Sequence, residues 1–192
     1  MFPGEQDYRR ERKAFLETLE SLPPDEFEHG TTLCAEWAPR DVLAHVLGID
    51  AAPAEYVKAL GRIGAGNDRI VASMKSLSRD ELLDRARRWA DKPAFLSLVA
   101  SYGLLQDLAV HHQDVLRGTG RSREVPEASA KAILREGLLF GAAKLRRYRI
   151  VPTDHGRSMG RGQVVRGTAE QLGLWLTGRH SVAAELVFGA TN

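Results

Sequence analysis

Asp107 and His111 stand four residues apart in Gly103-Leu-Leu-Gln-Asp107-Leu-Ala-Val-His111-His112-Gln-Asp114-Val-Leu-Arg117-Gly118, the most polar segment of an otherwise apolar run. On a helix that spacing puts both side chains on one face, one turn apart, with origins about 5–6 Å from each other. A carboxylate and an imidazole so placed can reach a single divalent ion. Asp114 follows His111 by three residues and lies near the same stripe. The candidate for a third ligand is His45, in Trp37-Ala-Pro-Arg-Asp41-Val-Leu-Ala-His45. A plainer reading stays open: an Asp–His pair at this spacing is often only hydrogen-bonded to itself, and a histidine such as His45 is often a satisfied structural residue. Both motifs sit in apolar helical runs, however, where an unpaired polar group is costly.

Two histidines and one carboxylate leave open positions on Zn²⁺, the mark of a catalytic rather than a closed structural site. The same donors suit Fe(II) or Ni(II), so zinc is the first expectation and not an exclusive one. Asp41 and Asp114, each about one turn from a histidine, can each accept the second N–H of an imidazole and orient it. Asp41 can equally cap its own helix.

Three segments carry a family resemblance. Thr32-Leu-Cys34-Ala-Glu-Trp37-Ala-Pro-Arg-Asp41-Val-Leu-Ala-His45 resembles the first signature of the mycothiol-dependent maleylpyruvate isomerase family, within the DinB/YfiT-like superfamily. Asp107-Leu-Ala-Val-His111-His112-Gln-Asp114 is similar to its second, Glu-x-x-x-His-x-x-Asp, with Asp107 one methylene shorter than the family's Glu. Arg166-Gly167-Thr168-Ala-Glu-Gln-Leu-Gly-Leu-Trp175-Leu-Thr-Gly178-Arg179 resembles a third, a Leu-x-x-Trp-Leu-x-Gly-Arg segment near the end.

The resemblance implies a mostly α fold: a DinB-like four-helix bundle with an additional helix and a small C-terminal α+β appendage, a hairpin plus short helix. The corresponding division is residues 1–147 for the metal-binding bundle and 148–192 for the extension packed on it. It also implies a metal-dependent enzyme that takes mycothiol as co-substrate, as an isomerase or thiol S-transferase. A free thiol is only a few per cent ionised at neutral pH, whereas a metal-bound one is a thiolate ready to attack an electrophile. The partners expected are therefore a small thiol and a small electrophilic molecule. Arg166 and Arg179 are candidates to grip a dicarboxylate or the thiol, since guanidinium pairs with carboxylate in a fork. Trp175 and Arg179 can equally serve only to dock the C-terminal helix. Cys34 is read as packing against the start of the second helix, and no residue is assigned a catalytic role. Against the enzyme stand two alternatives: a non-catalytic metal- or ligand-binding bundle, and a metal-free helical protein acting through protein contacts.

The elements that must position these residues follow from periodicity. Glu5 to Ser21 reads as an amphipathic helix stopped by Pro23-Pro24. A polar connection carries His29. A second helix begins near Pro39, with Asp41 in its first turn, and continues past Pro53 to Leu60 with a kink. Gly61 to Gly66 lacks the Lys-Ser/Thr of a phosphate loop and reads as a flexible connection. A third helical region spans about 68–90, restarted by a capping box at Ser78-Arg-Asp-Glu81. The central helix runs from about Phe95 to Arg117, and a fifth from Val125-Pro126-Glu127 to Arg147. Tyr148-Arg-Ile-Val-Pro152 and Gln163-Val-Val-Arg166 look like the strands of a small hairpin. Thr168 caps a short helix closed by Gly178. Val182 to Phe188 fits strand or helix. His112 points about 100° away from His111, to the surface or to a ligand's far side.

At 192 residues a single domain is expected. A net charge of +2 gives no reason to expect a nucleic-acid partner. The single cysteine excludes an internal disulfide. No apolar run approaches the roughly 18 residues of a membrane span, and the start has no apolar signal core. The expectation is a cytoplasmic monomer or homodimer without membrane partners.

Overall fold

The computed structural model describes residues 2–34, 36–51 and 63–191. By contacts the chain divides into two units, Met1–Leu104 with His111–Ser122, and Leu105–Val110 with Arg123–Asn192.

The first unit is helical. Helix α1, Glu5–Ser21, buries Tyr8, Phe15 and Leu19, a spacing of seven and four that makes one face apolar. A short helix not foreseen from the sequence, α2, Pro24–His29, follows at once. Pro24 supplies the preset φ of a first helical residue, and Phe27 is its buried anchor. The double proline thus ends one helix and begins another. Helix α3, Pro39–Ala51, buries an unbroken run from Val42 to Leu47, His45 included. The expected kink and continuation to Leu60 lie outside the described residues. Helix α4, Ile63–Ser73, contains Gly64 and Gly66, so this half of the expected glycine-rich connection is helical.

Helix α5, Arg79–Asp91, begins at the expected capping box. The Glu81 N–H donates to Ser78 Oγ at 3.3 Å, and the Ser78 N–H donates back to Glu81 Oε2 at 2.8 Å. It packs against α1 and α3 through Leu82, Leu83, Ala86 and Trp89. The long polar segment is broken once, at Ala100: α6, Phe95–Val99, is followed by α7, Ser101–Gly118.

In the second unit, α8 spans Glu127–Phe140 and yields at Gly141 to a 3₁₀ turn, Ala142–Arg146. The strands are β1 Tyr148–Pro152, β2 Met159–Gly160, β3 Gln163–Gly167 and β4 Val187–Thr191, in the order β2-β1-β3-β4. The two runs expected to pair as a hairpin, β1 and β3, do lie side by side, but parallel. The antiparallel neighbour of β1 is the two-residue β2. Gly160 and Gly162, at φ of 86° and 91°, make the difference, because they turn the chain back past the start of β1. A Cβ on either would come within 2.3 Å of a backbone carbonyl, of Tyr148 or Arg147.

Helix α9, Ala169–Leu176, is capped by Thr168 with Gln171 in a reciprocal box. It packs on α8 at close range. A Cβ on Gly173 would stand 2.4 Å from the Ile133 carbonyl oxygen. The helices and sheet share one cluster that includes Leu134, Ile150, Val165, Leu172 and Trp175. Helix α8, expected with the bundle, is thus built into the core of the C-terminal unit. The ambiguous run 182–188 is both things in turn, a 3₁₀ turn at His180–Glu185 and then β4. Among the described residues no helix is long and apolar enough to cross a membrane.

Candidate metal centre

Helix α3 presents His45 and helix α7 presents His111. Both side chains are buried, 2% and 7% exposed, and their ring centroids are 4.7 Å apart. One turn before His111 on the same helix is Asp107. One ligand-type atom from each of His45, Asp107 and His111 lies within 4.8 Å of the other two. The bonds such donors make to Zn²⁺ are about 2.0–2.2 Å, so two donors on one ion stand up to about 4 Å apart. Small rotamer adjustments close that gap. Two buried imidazoles and a half-buried carboxylate are a donor set that fits a divalent ion.

The two acidic residues expected to orient imidazoles are placed differently from each other. Asp114 is fully buried, and its Oδ2 is 2.9 Å from His111 Nδ1. With Nδ1 turned to this carboxylate, Nε2 is the nitrogen left for coordination. Asp41 accepts the Ala38 N–H at 3.1 Å, which makes it the cap of α3.

A loop between α2 and α3 closes over the two histidines. The Leu33 N–H donates to the Asp114 carbonyl at 3.1 Å, and Thr31 Oγ1 to the Gly118 carbonyl at 2.8 Å. Within the loop the Thr32 hydroxyl lies 2.9 Å from the Cys34 carbonyl and 2.8 Å from that of Trp37. Glu36 turns the chain with φ of 75°, a left-handed conformation that costs a non-glycine residue about 1–2 kcal/mol. The result sets the Trp37 ring 5.0 Å from His45 and 5.9 Å from His111. Cys34, Glu36, Trp37 and Asp41 also border a cavity of about 490 Å³.

The sequence reading quoted Trp37 as a signature residue without giving it a place at the site. The signal was its distance of eight residues from His45, with Pro39 fixing the helix start between them. Cys34 is closer to the chemistry than expected: its sulfur, a His111 ring nitrogen and an Asp114 oxygen lie within 4.8 Å of one another.

His112 is neither on the surface nor among the residues around His111. It is fully buried against α1, with Nδ1 2.7 Å from Glu11 Oε1 and Nε2 2.8 Å from Thr18 Oγ1. The Phe15 ring stands edge-on to it at 5.4 Å. Arg166 is an exposed residue of β3. Arg179 follows α9, where its guanidinium donates to the Thr177 carbonyl at 3.3 Å. Both belong to the second unit.

No family model matches the chain, and no curated protein matches it. A solved structure does: a crystal structure of the mycothiol-dependent maleylpyruvate isomerase in a histidine-to-alanine mutant form. The TM-score is 0.69 at 11% sequence identity, covering 97% of this chain and 91% of that one. At that identity the likeness is one of fold, and it agrees with the mostly helical architecture expected from the three segments.

Proposed function

We propose that this chain is a metal-dependent enzyme using a low-molecular-weight thiol, an isomerase or S-transferase of the maleylpyruvate isomerase type. The observation that carries the reading is the convergence of His45, Asp107 and His111 ligand atoms within 4.8 Å, in a fold similar to that of a mycothiol-dependent enzyme. In this reading His45, Asp107 and His111 hold one divalent ion, zinc in the first instance, with nickel or iron as the other candidates. Such an ion supplies a thiolate at neutral pH from a thiol that is otherwise almost wholly protonated.

The chain's own residues do the positioning. Asp114 holds the His111 ring by Nδ1, so that Nε2 points away from it and toward the ion. Trp37 stands against both imidazoles and keeps water from that side of them. Mycothiol is the co-substrate the resemblance implies, and a small electrophile is the second partner. Arg166 and Arg179 are the guanidinium groups proposed to pair with carboxylates on either one. A non-catalytic metal- or ligand-binding bundle is the second reading, favoured by the burial of both histidines.

Metal analysis of protein purified without chelator, followed by zinc titration, tests the metal. The natural chain takes up one equivalent, and His111→Ala takes up none while keeping its helical circular dichroism. A natural chain that binds no metal refutes the first reading and the metal-binding form of the second. Turnover of a panel of electrophiles with mycothiol then separates enzyme from binding protein, and a metal-loaded protein inert toward all of them leaves the second reading in place.

A further inference from the structure

Residues 93–106, Pro-Ala-Phe-Leu-Ser-Leu-Val-Ala-Ser-Tyr-Gly-Leu-Leu-Gln, carry no charged side chain, in a chain of which 27% is charged. Such a run belongs in a core, yet half of it is exposed. Helix α6 is built inside out: Ser97 is buried, while Phe95, Leu96 and Val99 face solvent. Serines can take the inner side because they bond to backbone close by. Buried Ser101 shares its hydroxyl proton between the Ser97 carbonyl at 3.1 Å and the Leu98 carbonyl at 2.5 Å.

Tyr102, in the first turn of α7, and Phe2, ahead of α1, extend this apolar face. The Phe2 and Phe95 rings meet edge-on with centroids 6.0 Å apart. Gly4 permits the approach. Its φ is 78°, and a Cβ on it would stand 3.1 Å from Tyr102 Cα. The Glu5 N–H donates to the Phe2 carbonyl at 3.1 Å, and the Phe2 N–H donates to Glu5 Oε2 at 2.9 Å. The face is therefore fixed before anything binds to it.

We infer that Phe2, Phe95, Leu96, Val99 and Tyr102 form the contact through which two copies of this chain pair about a two-fold axis. A two-fold contact lays a patch on itself, so a charged patch would repel its own copy and an uncharged one does not. Three of the five residues are aromatic, and aromatic enrichment with depletion of charge marks the core of an interface. The area agrees. The five residues are 36% to 70% exposed. With about 150–250 Å² for a whole Phe or Tyr side chain and somewhat less for Leu and Val, they present roughly 500 Å² of apolar surface. A standard interface takes about 800 Å² from each partner, and about 65% of a homodimer interface is apolar. The patch supplies that apolar share, and its polar neighbours supply the rim. The inference stands apart from the metal-site reading.

Sedimentation velocity of the natural chain between about 1 and about 100 μM tests it, since interfaces of this area range from micromolar to picomolar affinity. The expected species has twice the 21.2 kDa chain mass, with half-dissociation no higher than about 10 μM. Leu96→Asp and Val99→Lys each place a charge at an exposed position, so helical circular dichroism should be kept. Each should raise the dissociation constant at least about 100-fold, because the new charge meets its own copy or is buried against apolar surface. Leu139→Asp, at a comparably exposed position in the other unit, should leave the dimer intact. Independently of any variant, amide exchange over residues 95–102 of the natural chain should slow as concentration rises through the dissociation constant. A chain that stays monomeric at about 100 μM would overturn the inference. So would a dimer lost in Leu139→Asp but kept in the other two, or one whose formation leaves exchange over 95–102 unchanged. A monomer that instead co-sediments with phosphatidylcholine vesicles would make the face a lipid contact and likewise refute pairing.

Discussion

Replacing Gly118 with alanine probes the seam on which the loop of Cys34 and Trp37 rests. The new Cβ would lie 2.3 Å from Thr32 Cα, 2.4 Å from the Thr31 oxygen and 2.8 Å from the Thr32 carbonyl carbon, where ordinary contacts begin at 3.4 Å. All three atoms are backbone, so no side chain can rotate out of the way. The loop must retreat by about an ångström, and two hydrogen bonds cross the gap it opens: Thr31 Oγ1 to Gly118 and Leu33 N–H to Asp114. Overpacking of this kind costs about 1–3 kcal/mol, and each hydrogen bond weakened adds about 0.5–1.5 kcal/mol. Alanine's helix propensity offsets up to about 1 kcal/mol of that, less at the last residue of a helix. The net expectation is a loss of about 1–6 kcal/mol in urea unfolding followed by circular dichroism. Gly103→Ala in the same helix is the control. Nothing lies within 4 Å of its added Cβ, so that substitution should stabilise by up to about 1 kcal/mol. Equal gains from both substitutions would show that the loop does not approach α7 as closely as the geometry requires, and the account of how the site is closed would fall with it.

Glu11 and His112, both buried and 2.7 Å apart, should behave as a pair. His112→Leu alone should cost about 3–5 kcal/mol by stranding the carboxylate, and Glu11→Leu with His112→Leu should recover most of it; additive losses in the double variant would refute the pairing. Glu26 in the first turn of α2 accepts from Arg121 just beyond α7, and that hydrogen bond, with burial opposing and the guanidinium's charge behind it, holds its carboxyl below the ordinary 4.5. A folded pKa below the unfolded one means the stabilisation is complete above about pH 4.5 and fades as pH falls through the folded value. Arg121→Gln should therefore lose at most about 1 kcal/mol near neutrality and converge with the natural chain under acid; a difference that grows on acidification would reverse the sign argued here.

What could be read from the chain alone divides along the range of the interactions involved. Helix starts were legible where a short-range device sets them: Ser78 with Glu81, Thr168 with Gln171, Pro39 before Asp41. The Asp107–His111 spacing was legible for the same reason, since one helical turn brings the two together whatever the rest of the fold does. The small helix at Pro24 was hidden because a double proline signals an end as strongly as a beginning. The parallel partnership of β1 and β3 was hidden in Gly160 and Gly162, whose left-handed φ values turn the chain back between β2 and β3. His112 was ambiguous because its partners, Glu11 and Thr18, come from the far end of the sequence.

Cys34 illustrates the same limit at the site. In the sequence it is a lone cysteine eleven residues before His45 and far from His111, and nothing local connects it to either. Three backbone facts make the connection: the Leu33 N–H on the Asp114 carbonyl, the bare Gly118, and the left-handed Glu36. Each of them is unremarkable as a residue type, and only their combination brings the Cys34 sulfur within 4.8 Å of a His111 ring nitrogen and an Asp114 oxygen. The Asp107–His111 stripe of α7 is thus a property of its spacing. What surrounds that stripe is a property of one loop, and substitutions in the loop should change what stands beside the two imidazoles without changing the helices that carry them.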